Sequence, residues 1–387
     1  MRYQVKTVRT PGEWADFLDL PYSLYKDDPS WVAPLRAEVA KVLDAGRNPY
    51  FQGAVLEKFI CYRDGQPVSR SIAVIQPRHW EKFGEKAAFF GFFESENDPE
   101  AVCQLFTAIE AYSASRGAHT LKGPFNPNHY SELGLLVENF APPAFFEPYN
   151  PVWYAALLRT AGFRTVTRLH TRIIRDTTTL ELKAKRLEEI LQRARKAGYA
   201  IRPFRWLHMP SELERIREVY NDAFDGNWHF LPLSKEEYRY SASAMFLITN
   251  PSLIQFIEYK GKPVGVLHFV LNVNPALKAL RGRLRPGNLF YFLQKRFSAD
   301  EVVLYAVGIK KGFQRTAAIH CFVWAFCRIA QRFKTAYCTW MTEGNKSAIQ
   351  SAESVGFEPY KWFDIFEKQV HPKKNDEPLL ETAAHSI

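Results

Sequence analysis

Cysteine is scarce in this chain, and a long apolar run is absent from it. Five cysteines occur among 387 residues, with no CxxC pair and no zinc-ligand spacing. We therefore expect reduced, buried thiols. No run approaches the ~20 apolar residues of a membrane-spanning helix, and residues 1–6 lack the apolar core of a signal peptide. These absences favour a cytoplasmic protein, or one attached to the cytosolic face of a membrane.

Several catalytic signatures are missing as well. The ten histidines form no HExxH or HxxxH pair, so we predict no metal site. The chain contains no GxSxG nucleophile motif and no GxGxxG nucleotide loop. The common types of metalloprotease, serine hydrolase and dinucleotide-dependent enzyme are therefore not supported by the sequence.

What the chain does contain is apolar and basic. Apolar residues make up 47% of it and aromatic residues 15%, and the formal net charge is +10. The length fits two domains of about 190 residues each. A basic balance favours an anionic partner, such as nucleic acid, an acidic membrane surface or a phosphate-bearing cofactor, although excess charge that merely aids solubility stays an open interpretation.

Two local patterns recur in the same order along the chain. Hairpin signals with a Gly-x-Pro turn occur at Gly65 and Gly261, which are 196 residues apart. A helical run followed by Gly-Phe ends at Gly162-Phe163 and again at Gly356-Phe357, 194 residues apart. Two shared features at nearly one offset predict a duplicated unit.

The same order of elements is predicted in each unit. Apolar residues at helical spacing indicate central helices over 102–112 and 319–333, each preceded and followed by a strand. We predict an α/β (α+β) fold of two tandem units, each with a mixed, mostly antiparallel central sheet flanked by helices. The units span 1–175 and 176–370, and 371–387 is a flexible tail. Residues 176–185 join the units, a helix follows over 186–197, and Ser211-x-x-Glu214 predicts a capping box at the next helix.

The second half resembles the GNAT superfamily, the Gcn5-related N-acyltransferases. The resemblance rests on the strand 302–309, the helix and strand that follow it, and Glu343-Gly344-Asn345 before Gly356-Phe357. It implies acyl-CoA as co-substrate, with the pantetheine arm on the backbone of Val307 and Ile309. The pyrophosphate would then lie on the loop before the helix, formed by Gln314, Arg315, Thr316 and Ala317, because a helix N-terminus binds anions.

This loop departs from the family pattern Gln/Arg-x-x-Gly-x-Gly/Ala. Gln314 fits it, whereas Ala317 and Ile319 replace the small residues. Asn345 has two open interpretations, a pantetheine contact or a cap on the next helix. In the first half, the equivalent loop 94–100 contains four carboxylates, which would repel a pyrophosphate. We therefore interpret the N-terminal unit as a GNAT-like scaffold that does not bind coenzyme A.

A narrower resemblance covers five short runs of the chain. It is to bacterial double-GNAT proteins of this length, including a ceramide-synthase-like group that N-acylates a long-chain base. The runs are 89–94, 123–127, 134–140, 149–151 and 227–233. The resemblance implies an acyl-CoA-dependent N-acyltransferase that transfers a long-chain acyl group to an amphiphilic amine, such as a sphingoid base.

Acyl transfer to an amine needs a base, a polarised carbonyl and a proton for the leaving thiolate. The tyrosine that often serves as acid in the family corresponds to Ala352 here. The candidates from this sequence are Glu343 at the end of a strand, Tyr305 in the central strand and His229 in an aromatic loop. Each of them also has a purely structural interpretation, and His268 is interpreted as a core histidine.

The tract 259–299 has an unusual composition. Its 41 residues contain eight Lys or Arg and no Asp or Glu, with aromatic and aliphatic residues between them. Such a mixture suits an anionic bilayer surface, or RNA with aromatic stacking, or a solvated basic insertion. We also expect the aromatic residues of 89–93, 228–230 and 290–297 to face a lipid-like substrate or a bilayer.

Three functions stay open on this basis. The first is an acyl-CoA-dependent N-acyltransferase at the cytosolic membrane surface. The second is an aminoacyl-tRNA-dependent transferase, for which tRNA would be the partner, while no DNA is expected. The third is a non-catalytic binding protein on a GNAT scaffold, which the missing glycines and Ala352 favour.

Overall fold

The computed structural model describes residues 1–128, 131–245 and 249–370, so the predicted tail 371–387 lies outside the described residues. Within them the chain forms fifteen strands and twelve α-helices. The strands are β1 (Tyr3–Thr7), β2 (Val55–Arg63), β3 (Gln66–Ile75), β4 (Ala87–Ser95), β5 (Thr120–Gly123), β6 (Phe125–Asn126), β7 (Glu132–Leu133), β8 (Leu135–Glu138), β9 (Arg164–Ile174), β10 (Tyr199–Pro203), β11 (Ile254–Tyr259), β12 (Lys262–Leu271), β13 (Glu301–Ile309), β14 (Thr335–Thr342) and β15 (Glu358–Gln369). The helices are α1 (Pro11–Leu24), α2 (Arg36–Val42), α3 (Pro77–Phe83), α4 (Pro99–Ser115), α5 (Tyr154–Thr160), α6 (Thr179–Lys196), α7 (Met209–Phe224), α8 (Lys235–Met245), α9 (Asn274–Leu280), α10 (Pro286–Phe297), α11 (Ala318–Ala330) and α12 (Lys346–Val355).

One sheet of thirteen strands runs through both halves of the chain. Its order is β1-β2-β3-β4-β5-β15-β9-β14-β13-β12-β11-β10, with β8 paired to β15 beside this path. Only the pairs β4–β5 and β13–β14 are parallel among the described strands, and all other pairs are antiparallel. The predicted fold class, mixed and mostly antiparallel sheets flanked by helices, is confirmed.

The two halves exchange their last strands at the centre of this sheet. Strand β9 of the first half pairs with β14 of the second, with Ala336 opposite Ile174. Strand β15, which ends the described chain, pairs with β5 of the first half, with Phe366 opposite Gly123. The two exchanged strands also pair with each other along most of their length. Each half of the sheet is therefore completed by the other half of the chain.

Helices cover both parts of the sheet. In α4, Leu105, Phe106 and Ile109 recur at helical spacing and are fully buried against the first part. In α11, Phe326 and Ile329 bury the equivalent face against the second part, where α6 packs beside them.

The expectation that the aromatic residues of 89–93 face a lipid is wrong for Phe89, Phe90 and Phe93. These three side chains are buried in the core, because β4 is a central strand of the sheet.

Several predicted helix boundaries differ from the structure, among them the end of α11, which lies at Ala330 and not at residue 333. Helix α6 begins at Thr179 and not after 185, because Leu180 and Ala184 extend its buried face against the core. Helix α7 begins at Met209, where a proline in the first turn fixes the start. Ser211 consequently lies inside the helix and donates its hydroxyl hydrogen to the His208 carbonyl at 2.9 Å, so the predicted capping box is wrong.

Candidate active site

The parallel strands β13 and β14 separate part-way along their length. They pair from Glu301–Thr335 to Leu304–Cys338 and not beyond. At that point β13 contains a bulge, because His268 of β12 lies opposite Ala306 while the next residue lies opposite Leu304. Tyr305 is the extra residue. A gap therefore opens between 305–309 and 339–342, within the part of the chain that the structure describes.

The backbone of β13 lines this gap. The N–H of residue 310 donates to the Val264 carbonyl at 2.9 Å, which fixes the alternation along the β12–β13 ladder. In an antiparallel ladder, alternate residues direct their N–H and C=O groups to opposite edges. The backbone N–H and C=O groups of Val307 and Ile309 therefore point away from β12 and face the gap. The side chain of Gln314 already donates to the Ile309 carbonyl at 3.3 Å.

A basic loop connects the gap to the first turn of α11. Arg315 is exposed and forms no ion pair within the described residues, whereas Lys311 pairs with Asp225 at 2.9 Å. Thr316 accepts a hydrogen bond from the Ala318 N–H at 3.3 Å, and its carbonyl accepts one from the Ile319 N–H at 3.2 Å. Ala317 stands at the N-cap position without a side-chain cap.

Tyr305 lies where the gap begins. Its carbonyl accepts a hydrogen bond from the Thr339 hydroxyl at 2.9 Å, which holds the bulge to β14. Its ring packs on Phe146 and on the edge of His268, with centroid separations of 4.7 and 5.3 Å. Burial raises the pKa of the Tyr305 phenol to about 12, so the group keeps its proton at neutral pH.

His268, taken from the sequence for a core histidine, lies beside Tyr305. Its Nδ1 is 3.3 Å from the Tyr220 hydroxyl. Its Nε2 is buried and has no hydrogen-bond partner among the described residues. Burial lowers the pKa of His268 to about 3, so the ring is neutral. The burial of His268 agrees with its interpretation as a core histidine. Its position beside Tyr305 depends on the bulge, and strand register, which the sequence does not show, is needed to locate that bulge.

Glu343 and Asn345 follow β14 at the far side of the gap. Glu343 is exposed, and its N–H donates to the Arg168 carbonyl at 3.3 Å. Asn345 caps α12 by accepting from the Ala348 N–H at 3.2 Å, which engages its side-chain oxygen. Near Glu343 lies His170, a residue that sequence reasoning missed. Burial, followed by the charge of Arg172, lowers its pKa.

His229 lies against the N-terminal half of the chain. Its Nδ1 is 2.7 Å from His79 Nε2, and its Nε2 is 3.5 Å from the Lys122 ammonium. The described contacts thus do not bring His229 together with Tyr305 or Glu343. His79, Glu85 and His229 offer ligand atoms within 4.8 Å of one another. The Lys122 ammonium lies 2.6 Å from Glu85, so the carboxylate of this cluster is already paired with a positive charge that a metal ion would otherwise provide.

The histidine pair should make stability depend on pH. Burial, then the charge of Lys122, lowers the pKa of His79 to about 4 and that of His229 to about 3. Between about pH 6.5 and pH 4 the unfolded chain binds protons that the folded chain excludes. Stability is therefore lost as the pH falls through this range.

We expect urea unfolding of the double variant His79→Gln/His229→Gln to show a shallower loss of stability between pH 7 and pH 5 than the parent protein. His208→Gln, at an exposed histidine, is the matched control and should retain the parental slope. An equal slope in the double variant and the parent would show that the pair does not titrate in this way.

The equivalent gap in the N-terminal half is filled. Strand β6 packs beside β4, and Asn126 accepts a hydrogen bond from the Phe92 N–H at 2.6 Å. A Cβ on Gly91 would lie 1.7 Å from the Phe125 carbonyl oxygen, so this approach requires glycine. Asp98 caps α4 by accepting from the Ala101 N–H and also pairs with Arg63. A carboxylate thus occupies the helix N-terminus that an anion would need.

No helix among the described residues is long and apolar enough to cross a membrane. The five cysteines are free, and all but the half-buried Cys103 are buried.

Comparison with solved structures defines the fold. A tandem GNAT protein from the clavulanic acid biosynthesis pathway superimposes with a TM-score of 0.53 at 10% identity, covering 96% of this chain and 99% of that one. A probable N-acyltransferase from Enterococcus faecalis V583 gives a TM-score of 0.51 at 11% identity, over 96% of this chain and 73% of that one. The chain has the tandem GNAT fold, and the predicted GNAT resemblance is confirmed.

Sequence comparison adds relatives that match along nearly the whole chain. A protein of Caulobacter vibrioides named bacterial ceramide synthase is 29% identical over 376 residues, which cover 94% of this chain and 96% of that protein. Protein YghO of Escherichia coli is 28% identical over 377 residues, with 95% of both chains covered. No protein-family profile matches the chain.

Proposed function

We propose that this protein is an acyl-CoA-dependent N-acyltransferase that transfers a long-chain acyl group to an amphiphilic amine, such as a sphingoid base. The single observation that carries the proposal is the open gap between β13 and β14, with its bulge at Tyr305. The full-length similarity to a bacterial ceramide synthase supports this choice of acceptor.

The acyl donor would bind to the C-terminal half. The backbone groups of Val307 and the N–H of Ile309 face the gap and suit the amides of a pantetheine arm, which would extend the sheet at this edge and displace the Gln314 side chain from the Ile309 carbonyl. The loop Gln314–Ala317 lies beside them, and its Arg315 provides a cation for the pyrophosphate. In the N-terminal half the equivalent gap is filled by β6, so we assign that unit a scaffold role.

The chemical step forms one bond and breaks one. The neutral amine nitrogen attacks the thioester carbonyl and the C–N bond forms. The C–S bond then breaks to release the coenzyme A thiolate, and the nitrogen loses a proton, which the thiolate takes up. Tyr305 is the proposed hydrogen-bond donor to the oxygen that becomes negative in the intermediate, because its phenol retains its proton. Exposed Glu343 is the proposed base for the ammonium proton.

The sequence predicted His229 as a catalytic residue, but its contacts place it against the N-terminal half and not at the gap between β13 and β14. Both of its ring nitrogens already contact other side chains, His79 and Lys122. We assign it the role of holding the loop between α7 and α8 against the N-terminal half. Asn345 caps α12 and would shape the far side of the donor site.

The acceptor would be reached from a membrane surface on the cytosolic side. Helix α10 buries Phe292 and exposes Phe290 and Phe297, which are 76% and 79% exposed. Arg283 and Arg285 lie just before it and form no ion pair within the described residues. Exposed aromatic residues beside unpaired cations suit an anionic lipid surface.

Turnover with defined substrates tests the proposal. Purified protein is incubated with acetyl-, butyryl- and palmitoyl-CoA and a long-chain amino alcohol in mixed micelles, with thiol release and amide formation both measured. We expect amide formation equal to thiol release with palmitoyl-CoA. Absence of both with every donor would overturn the proposal. Steeply salt-dependent binding of aminoacyl-tRNA would then favour the tRNA-dependent alternative, and failure to bind any acyl-CoA would favour a non-catalytic scaffold.

A further inference from the structure

A loop of the N-terminal half, residues 141–147, lies against the candidate active site in the C-terminal half. The ring of Phe146 packs on the ring of Tyr305 with a centroid separation of 4.7 Å. Tyr305 is the bulged residue at which β13 leaves β14. Phe145 and Tyr337 of β14 belong to the same apolar cluster. The N-terminal half therefore contributes a side chain that contacts the proposed hydrogen-bond donor.

The backbone at Phe146 is strained. Its φ angle is +70°, a left-handed conformation that bulky side chains rarely adopt. A conformation of this kind persists only where the surrounding structure imposes it, and such residues cluster at functional sites. Phe146 keeps its conformation because the loop is fixed on both sides of it, by contacts that come from the C-terminal half as well as from the loop itself.

A lysine that is 0% exposed fixes the ends of the loop. Lys361 of β15 donates to the Ala141 and Pro142 carbonyls at 2.6 and 3.1 Å. Its ammonium also lies 3.3 Å from the Glu147 carboxylate, so each of its three hydrogens has an acceptor nearby. Glu147 in turn accepts a hydrogen bond from the Ala144 N–H at 2.9 Å. Both ends of the loop are thus held by one side chain.

Two asparagines of the C-terminal half hold the middle of the loop. Asn272 accepts a hydrogen bond from the Phe145 N–H at 3.1 Å. Asn274 donates to the Pro143 carbonyl at 2.8 Å. Both asparagines follow β12, the strand that pairs with β13. These contacts fix the loop to the strands that form the candidate site, and with it the position of the Phe146 ring.

We propose that Phe146 is a positioning residue for the transfer reaction, and that its ring keeps the Tyr305 phenol directed at the reacting carbonyl. The proposal rests on the proposed function and adds to it a contribution from the N-terminal half. A bulge interrupts the regular ladder, so the orientation of the Tyr305 ring depends on the side chains packed against it. Orientation matters because a misplacement of about 1 Å can lower the rate of an enzyme about 100-fold.

The test is Phe146→Gly, which removes the ring and also relaxes the left-handed backbone, because glycine adopts positive φ angles readily. We expect kcat for palmitoyl-CoA to fall about tenfold, with KM changed less than twofold. The matched control is Phe92→Gly. Phe92 is also a half-buried phenylalanine with a positive φ angle, 47°, but it lies beside the filled gap of the N-terminal half. Its variant should keep kcat within twofold of the parent.

A double-mutant cycle distinguishes a positioning role from a general loss of structure. If Phe146 acts through the phenol, Tyr305→Phe/Phe146→Gly should have the kcat of Tyr305→Phe alone, within twofold. Should the glycine variant prove unstable by its thermal midpoint, Phe146→Leu replaces it, with an expected threefold fall in kcat that likewise disappears in the Tyr305→Phe background.

Three outcomes would count against these assignments. A parental kcat in Phe146→Gly, or effects of the two substitutions that multiply in the double variant, would overturn the inference while leaving the transferase activity established. A parental kcat in Tyr305→Phe would overturn the role of the phenol and with it that of Phe146. Absence of turnover in the parent protein would instead overturn the proposed function.

Discussion

Replacing Tyr305 with phenylalanine should lower kcat about 100-fold while changing the KM for palmitoyl-CoA by less than threefold. The ring would still fill its place between Phe146 and His268, so binding of the donor would be retained. Only the phenolic hydroxyl would be lost. Removal of one preorganised donor to a developing oxyanion typically costs on the order of 100- to 1,000-fold in kcat. Steady-state kinetics with thiol detection measures the effect.

Tyr199→Phe provides the matched control for this prediction. Tyr199 is buried in β10, the edge strand three strands away from β13 in the same sheet, where its ring packs on Tyr259. The same loss of a hydroxyl should there leave kcat within twofold of the parent. A Tyr305→Phe variant with parental kcat would exclude the phenol from the chemical step, and an equal rise in KM without a fall in kcat would assign it to donor binding alone.

Loss of the exposed aromatic side chains of α10 should abolish most of the affinity for anionic vesicles. The double variant Phe290→Ser/Phe297→Ser removes two rings that are 76% and 79% exposed. Burial of one such side chain is worth about 1.5–3 kcal/mol when complete. Even partial insertion of both therefore predicts at least a tenfold weaker partition onto vesicles of phosphatidylglycerol and phosphatidylcholine, measured by sedimentation.

Val152→Ser is the control for this double variant, because Val152 is 64% exposed and belongs to the N-terminal half and not to α10. It should bind vesicles like the parent protein. Turnover of butyryl-CoA with a water-soluble amine should be equal in all three proteins, since α10 is not part of the transfer site. Parental vesicle binding by the double variant would remove α10 as the docking surface.

Local structure was the part of the fold most accessible from the sequence. Asp64-Gly65 and Lys260-Gly261 both adopt positive φ angles, 48° and 83° in the first pair and 50° and 78° in the second. The two predicted hairpins therefore turn in the same way, as their shared residues indicate. Helices α4 and α11 were likewise evident from apolar spacing, because that pattern depends on neighbours along the chain.

The site was only partly accessible, because its geometry depends on strand register. Val307 and Ile309 could be assigned to the donor edge through family resemblance, and the alternation of β13 agrees with that orientation. The bulge that brings His268 to Tyr305 involves a one-residue mismatch between two strands, which no periodicity reveals. The contact of His229 with His79 joins residues 150 positions apart, so sequence spacing carries no signal of it.

The exchange of β9 and β15 has a consequence for the order in which the protein folds. Strand β5 ends at residue 123, yet its partner β15 begins at residue 358. During synthesis the first half must wait for nearly the whole chain before its sheet is complete. Contacts of such long sequence separation slow folding, because the loop must close before the pairing stabilises it. Until then the edges of β5 and β9 are open to pairing with other chains, a hazard that chaperones would have to limit.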